Sequence, residues 1–133
     1  MLLYSDPSKV HKSTVTGEEF PIRSSITCTD DYILYDIICL KCNQEHPGVE
    51  DQYTGKTTDT AASRSSAHRS DVRTEKTSKA IPEHFNRPGH SISDMKFLPF
   101  EKIHRKDETL LASREEYWIR KKQNFEKGIN RQK

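Results

Sequence analysis

The chain has 133 residues, 32% hydrophobic and 32% charged, and 22 Lys+Arg against 20 Asp+Glu leave a formal charge of +2 with the histidines neutral. With a mean hydropathy of −0.92, the composition supports one small domain with a thin apolar core at most. No apolar run reaches the ~18 residues of a membrane span, and Met1-Leu2-Leu3-Tyr4 lacks the basic and apolar regions of a secretory signal. We therefore expect a soluble, intracellular protein with no membrane contact. Three cysteines cannot all pair with one another, and the spacing Cys39-x-x-Cys42 in a reducing compartment points to metal or redox chemistry before a disulfide.

Residues 1–24 mix Ser, Thr, Lys, Asp and Pro with isolated apolar positions and show no helical or strand period, so they are expected to form a mostly irregular arm, with the folded domain running over 25–133. The run Tyr32-Ile33-Leu34-Tyr35-Asp36-Ile37-Ile38-Cys39 is almost wholly β-branched, aromatic or thiol-bearing and predicts a strand. Ile33, Tyr35, Ile37 and Cys39 share one face and Tyr32, Leu34 and Ile38 the other, so the strand should be central, with Asp36 the discordant residue. Cys42 to Asp51, with Pro47-Gly48, reads as a loop leading to a short strand over Gln52-Tyr53-Thr54 that Gly55 ends. Residues 59–73 predict a helix capped by Asp59 or Thr60, with Ala61, Arg64, Ser65, His68 and Val72 along one stripe.

Further on, Pro88-Gly89 predicts a turn between His84 and His90. Met95 to Ile103 predicts a strand that Pro99 confines to an edge or a bulge. The clearest helix follows Asp107 or Thr109 as cap. It places Leu111, Glu115, Trp118, Ile119 and Lys122 on one face and Glu116 on the polar side with Ala112 and Arg120. An acid on an apolar stripe must be neutralised, paired or bound to a cation, which singles out Glu115.

Two constellations carry chemistry. Cys39, Cys42, His84 and His90 make a complete tetrahedral donor set for zinc, and because it is complete the metal would be structural. On spacing alone this stands even with a buried cysteine, an exposed one and two surface histidines. The second constellation is Tyr35, Tyr53-Thr54-Gly55, Arg64, His68 and Glu115, which on periodicity alone reads as an ordinary central-strand tyrosine and a solvated helix pair.

Ile33-Leu34-Tyr35, Tyr53-Thr54-Gly55, Arg64-x3-His68, Arg114-Glu115-Glu116-Tyr117-Trp118-Ile119 and Gly128-Ile129-Asn130 together follow the order of motifs in GIY-YIG endonucleases. More narrowly, Cys28, Cys39-Leu-Lys-Cys42, Gln52-Tyr53, His68-Arg-Ser-Asp71 and His84-Phe-Asn-Arg-Pro-Gly-His90 resemble the GIY-YIG domain of Penelope-like retroelements, with its inserted Cys-Cys-His-His site. The resemblance runs from about Gly17 to Asn130 and favours zinc at Cys39, Cys42, His84 and His90.

What the resemblance implies is an α+β domain with a small central antiparallel sheet of about three strands flanked by helices, nicking a DNA phosphodiester with Mg²⁺ or Mn²⁺. Glu115 would hold that cation, with Glu116 as the fallback. Tyr35 would take a proton from the attacking water, its pKa lowered by the cation and by Arg64, while Arg64 meets the phosphate and His68 and Tyr53 orient water and phosphate. Asn130 would tie the C-terminal end to the sheet. The resemblance further implies a nuclear protein serving a reverse transcriptase domain of its parent element. Asp36, Thr54, Ala61 and Ser65 depart from the family pattern, the last two by thinning the core. Residues 101–133 hold ten Lys/Arg against six Asp/Glu, 10 − 6 = +4, compatible with phosphate contact. The alternative from another class is a non-catalytic, zinc-stapled module binding nucleic acid or protein.

Overall fold

The computed structural model describes residues 3–6 and 9–130. In chain order it contains strands β1 (Leu3–Ser5), β2 (Val10–Lys12), β3 (Glu19–Pro21), β4 (Ile26–Thr27) and β5 (Ile33–Cys39), then helix α1 (Leu40–Glu45) and strand β6 (Gln52–Thr57). Helices α2 (Ala61–Arg73) and α3 (Ala80–Phe85), strand β7 (Met95–Lys102) and helix α4 (Glu108–Lys122) complete it. The fold is α+β, with a three-stranded antiparallel sheet in the order β6-β5-β7.

β5 is central because both of its faces are apolar and both are covered. Tyr35, Ile37 and Cys39 pack with Val72 of α2, Ile81 and Phe85 of α3, Met95 and Ile129. On the other side Leu34 meets Ile22, Phe100, Ile103, Leu111 and Trp118, the last two from α4. Each such side chain contributes roughly 1.5–3 kcal/mol when fully removed from water. Pro99 acts as expected: β7 lies at the sheet edge, and its register against β5 shifts between Leu34, opposite Glu101, and Tyr35, opposite Pro99. The helix caps are Thr60 for α2 and Asp107 for α4, each accepting from a backbone N–H three residues on. The small Ala61 is fully buried and packs with Ile26 and Ile33.

Three expectations are corrected. The segment read as an irregular arm holds β1, β2 and β3. β2 and β3 pair as a hairpin that places His11 against Phe100 and Trp118, so isolated apolar residues sufficed to bury it. The run after β5 is not loop throughout: α1 begins directly at the strand end, with the Cys39 thiol as its cap accepting from the Cys42 N–H at 3.4 Å. α3, where no element was expected, forms ahead of the Pro88-Gly89 turn. Gly55 does not end β6, which continues to Thr57. Gly55 lies opposite Tyr35, and a Cβ there would stand 2.6 Å from the Tyr35 phenol oxygen and 2.8 Å from the Tyr53 ring. Glycine is required by close packing under the tyrosine, not by a turn.

The outer edge of β6 is closed by the C-terminal segment. Asn130 Nδ2 donates to the Thr54 carbonyl at 2.9 Å and its Oδ1 accepts from the Thr54 N–H at 2.8 Å, as its expected tethering role requires, while the Ile129 N–H donates to the Gln52 carbonyl. Among the described residues no helix is long and apolar enough to cross a membrane.

Candidate active site and metal centre

The sheet register and α2 bring four of the five predicted site residues into one cluster. Tyr35 rises from the middle of β5, and Tyr53 from β6 stands with its ring centroid 6.5 Å away. Arg64 and His68, one helical turn apart on α2, reach the same phenol from above. Arg64 Nε donates to Tyr35 Oη at 3.1 Å, and His68 Nε2 lies 2.7 Å from that oxygen. With Arg64 already donating to the oxygen, the phenol O–H donates to His68 Nε2.

Burial dominates the electrostatics here. It pushes the Tyr35 phenol well above its ordinary range, helped by Tyr53, while Arg64 pulls the other way without prevailing. Arg64 does lower this pKa, as expected, but desolvation outweighs the guanidinium. His68 is held down to about 3, by burial first and by Arg64 second, so its imidazole is neutral and accepts. Its ring nitrogen is committed to Tyr35, not to open solvent.

Glu115 approaches from α4, which packs along β6. Its carboxylate faces Lys56 Nζ at 3.5 Å, a loose pair with both side chains partly exposed. Glu115 also raises the pKa of Tyr53 and contributes to that of Tyr35, so its charge is felt at both phenols. Tyr53 and Glu115 line one groove of about 700 Å³. Glu116, the fallback acid, also lines it but is tied to Arg120 at 2.7 Å. Lys56 went unnoticed as a neighbour of this site, and no spacing rule relates it to Glu115.

The second centre lies at the far end of β5. Cys39 closes the strand, Cys42 lies in the first turn of α1, His84 belongs to α3 and His90 follows the Pro88-Gly89 turn. One ligand atom from each lies within 4.8 Å of all the others. Cys42 Sγ stands 3.5 Å from His84 Nε2 and 3.2 Å from His90 Nε2. Cys39, Cys42 and His84 are buried. This set could hold a metal ion, and two thiols with two imidazoles suit Zn²⁺. Burial, then Cys39, pushes the Cys42 thiol up to about 12, whereas burial holds His84 down to about 4, neutral and ready to ligate. A cation in the cluster would displace the thiol proton.

A third cluster was legible only in fragments. Asp36, discordant in an apolar strand, accepts from Thr54 Oγ1 at 2.7 Å, Gln52 Nε2 at 3.2 Å and Lys122 Nζ at 2.7 Å. Asn124 Nδ2 donates to Thr54 Oγ1. Lys122 sits on the apolar stripe of α4, and its ammonium also lies 3.8 Å from the centre of the Phe100 ring. The departures Asp36 and Thr54 belong to one network.

Comparisons of the chain with protein-family models, with curated proteins and with solved structures find no match. The functional reading therefore rests on the residues and the geometry described above.

Proposed function

We propose that this chain is a divalent-metal-dependent DNA endonuclease of the GIY-YIG type, of retroelement origin, that nicks a phosphodiester bond. The observation that supports it is the convergence of Arg64 Nε and His68 Nε2 on the Tyr35 phenol oxygen, beside Tyr53 and a groove lined by Glu115.

A buried phenol with a raised pKa is a poor base by itself, but here it need not hold a negative charge. As Tyr35 Oη takes a proton from the attacking water, its own proton passes to His68 Nε2. Arg64 stabilises the oxygen through Nε and offers its remaining N–H groups to the phosphate. A phosphate beside Arg64 also offsets the positive charge that helps hold His68 down, so substrate binding favours the transfer. The hard carboxylate of Glu115, partly exposed in an open groove, suits Mg²⁺ or Mn²⁺. Such an ion would supply Lewis-acid stabilisation of the leaving 3′ oxygen. In this reading the product is a nick with a free 3′ hydroxyl, made on nuclear DNA for a reverse transcriptase domain of the parent element, and zinc staples the fold.

A second reading, a zinc-stapled binding module without catalysis, draws on the complete burial of Tyr35. A supercoiled-plasmid nicking assay on zinc-loaded protein with Mg²⁺ or Mn²⁺ separates the two. Wild type is expected to produce open circles, and Glu115→Ala and Arg64→Ala, folded by circular dichroism, to lose at least about 100-fold in rate. Folded wild type that leaves the plasmid intact with either cation makes the second reading the better account.

A further inference from the structure

The groove beside Glu115 is walled largely by apolar and aromatic side chains. Its charged lining consists of Glu115, Glu116 and Arg120, of which Glu116 and Arg120 pair with each other and Glu115 faces Lys56. Of the parts of a nucleic acid, the neutral, flat base suits the rest of the wall best: Tyr53, Ala80, Ala112, Ile119 and Phe125. The volume of about 700 Å³ is that of a small-ligand site, for which ~300–1,000 Å³ is usual. Phe125, in the turn after α4, is 41% exposed. An exposed ring on the wall of a groove is a stacking platform, and any nucleobase can use it because every base has a π-face.

We propose that this groove seats one unpaired nucleobase, stacked on Phe125, next to the phosphate that is cut. The preferred substrate is then DNA with a base already out of the stack, such as a bulge or a single-stranded junction, rather than intact duplex. The proposal rests on the nuclease reading, since Tyr53 and Glu115 belong both to the groove and to the candidate centre. A paired base reaches the groove only after unstacking, at a cost of a few kcal/mol that an unpaired base does not incur.

The test uses full-length, zinc-loaded protein with Ca²⁺ in place of Mg²⁺ to suppress cutting. Two oligonucleotide duplexes of the same sequence carry 2-aminopurine, in one as a single-nucleotide bulge and in the other paired. Wild type is expected to bind the bulged duplex about tenfold tighter, with a change in 2-aminopurine fluorescence, and Phe125→Trp to keep that preference. Phe125→Ala, folded because the ring is exposed, is expected to bind both duplexes alike. Equal binding by wild type, or a preference that survives Phe125→Ala, overturns the proposal. The two readings fail separately: plasmid nicking without a bulge preference removes the base seat alone. A Phe125-dependent preference without nicking supports the base seat while removing the nuclease.

Discussion

Asp36 Oδ2 and Lys122 Nζ lie 2.7 Å apart with their side chains 1% and 0% exposed, joining the centre of β5 to the last turn of α4. Burial pushes the Asp36 carboxyl up and the Lys122 ammonium down, so each ion is tolerated only because the other is present. Ser13 Oγ donates to the Lys122 carbonyl and Gln52 Nε2 to the Lys12 carbonyl, which carries the connection into the β2–β3 hairpin.

Removing one partner should therefore be worse than removing both. Lys122→Met is expected to lower stability by about 3–5 kcal/mol, because it leaves a buried carboxylate uncompensated. Asp36→Asn combined with Lys122→Met should recover a substantial part of that loss. Urea unfolding monitored by Trp118 fluorescence measures both, and a Lys122→Met midpoint equal to wild type would show that the pair does not constrain the fold.

The Cys-Cys-His-His cluster joins α1 to α3 across a 42-residue separation from Cys42 to His84. A metal there closes a long loop, and by the chain-entropy argument for a cross-link of that size it stabilises the fold by on the order of 4 kcal/mol. Purified protein is expected to carry one zinc per chain by elemental analysis. His84→Ala should lose the metal and shift the thermal midpoint down by more than about 10 °C. Metal-free protein with an unchanged midpoint would refute a structural role.

His11 and His68 are both held down to about 3 by burial, against an ordinary value of 6.5. From pH 6.5 downward the unfolded chain takes up protons that the native state refuses. Their contribution is thus fully present above pH 6.5 and lost as pH falls towards 3, at up to about 1.4 kcal/mol per pH unit for each histidine. His11 Nδ1 is buried without a hydrogen-bond partner among the described residues, and the ring stacks on Phe100 at 4.1 Å between centroids. His11→Phe should keep the stacking, remove the orphaned nitrogen and raise stability at pH 7 by about 1 kcal/mol. Over pH 4.5–6 it should reduce the acid slope by about 1 kcal/mol per pH unit. Urea midpoints for both proteins at several pH values settle it, and parallel slopes would rule out His11 as a source of acid lability.

Some of this architecture was legible because it depends on short-range pattern. The run Ile33 to Cys39 could only be a strand buried on both faces, and Thr60 and Asp107 cap the helices that their side chains mark out. Pro99 confined its strand to an edge because it has no N–H to give a neighbour. The stripe of α2 was readable from its spacing, and Ala61, Ser65, His68 and Val72 are its buried residues.

Other features depend on partners distant in sequence, and no local pattern encodes those. Asp36 was visible as an anomaly and Lys122 as a lysine on an apolar stripe, 86 residues apart, but their pairing requires β5 and α4 to pack face to face. Gly55 reads as a strand terminator until the antiparallel register sets it under Tyr35. The balance at the Tyr35 phenol follows the same rule: the charge of Arg64 is evident in one dimension, whereas the desolvation that opposes it exists only once Phe97, Tyr53 and His68 close around the ring. Residue types and their spacing thus set the elements, the donor chemistry of the two cysteines and two histidines, and the candidate acid. Which groups meet, and in what dielectric, followed from the folded chain, because both depend on contacts that sequence distance does not constrain.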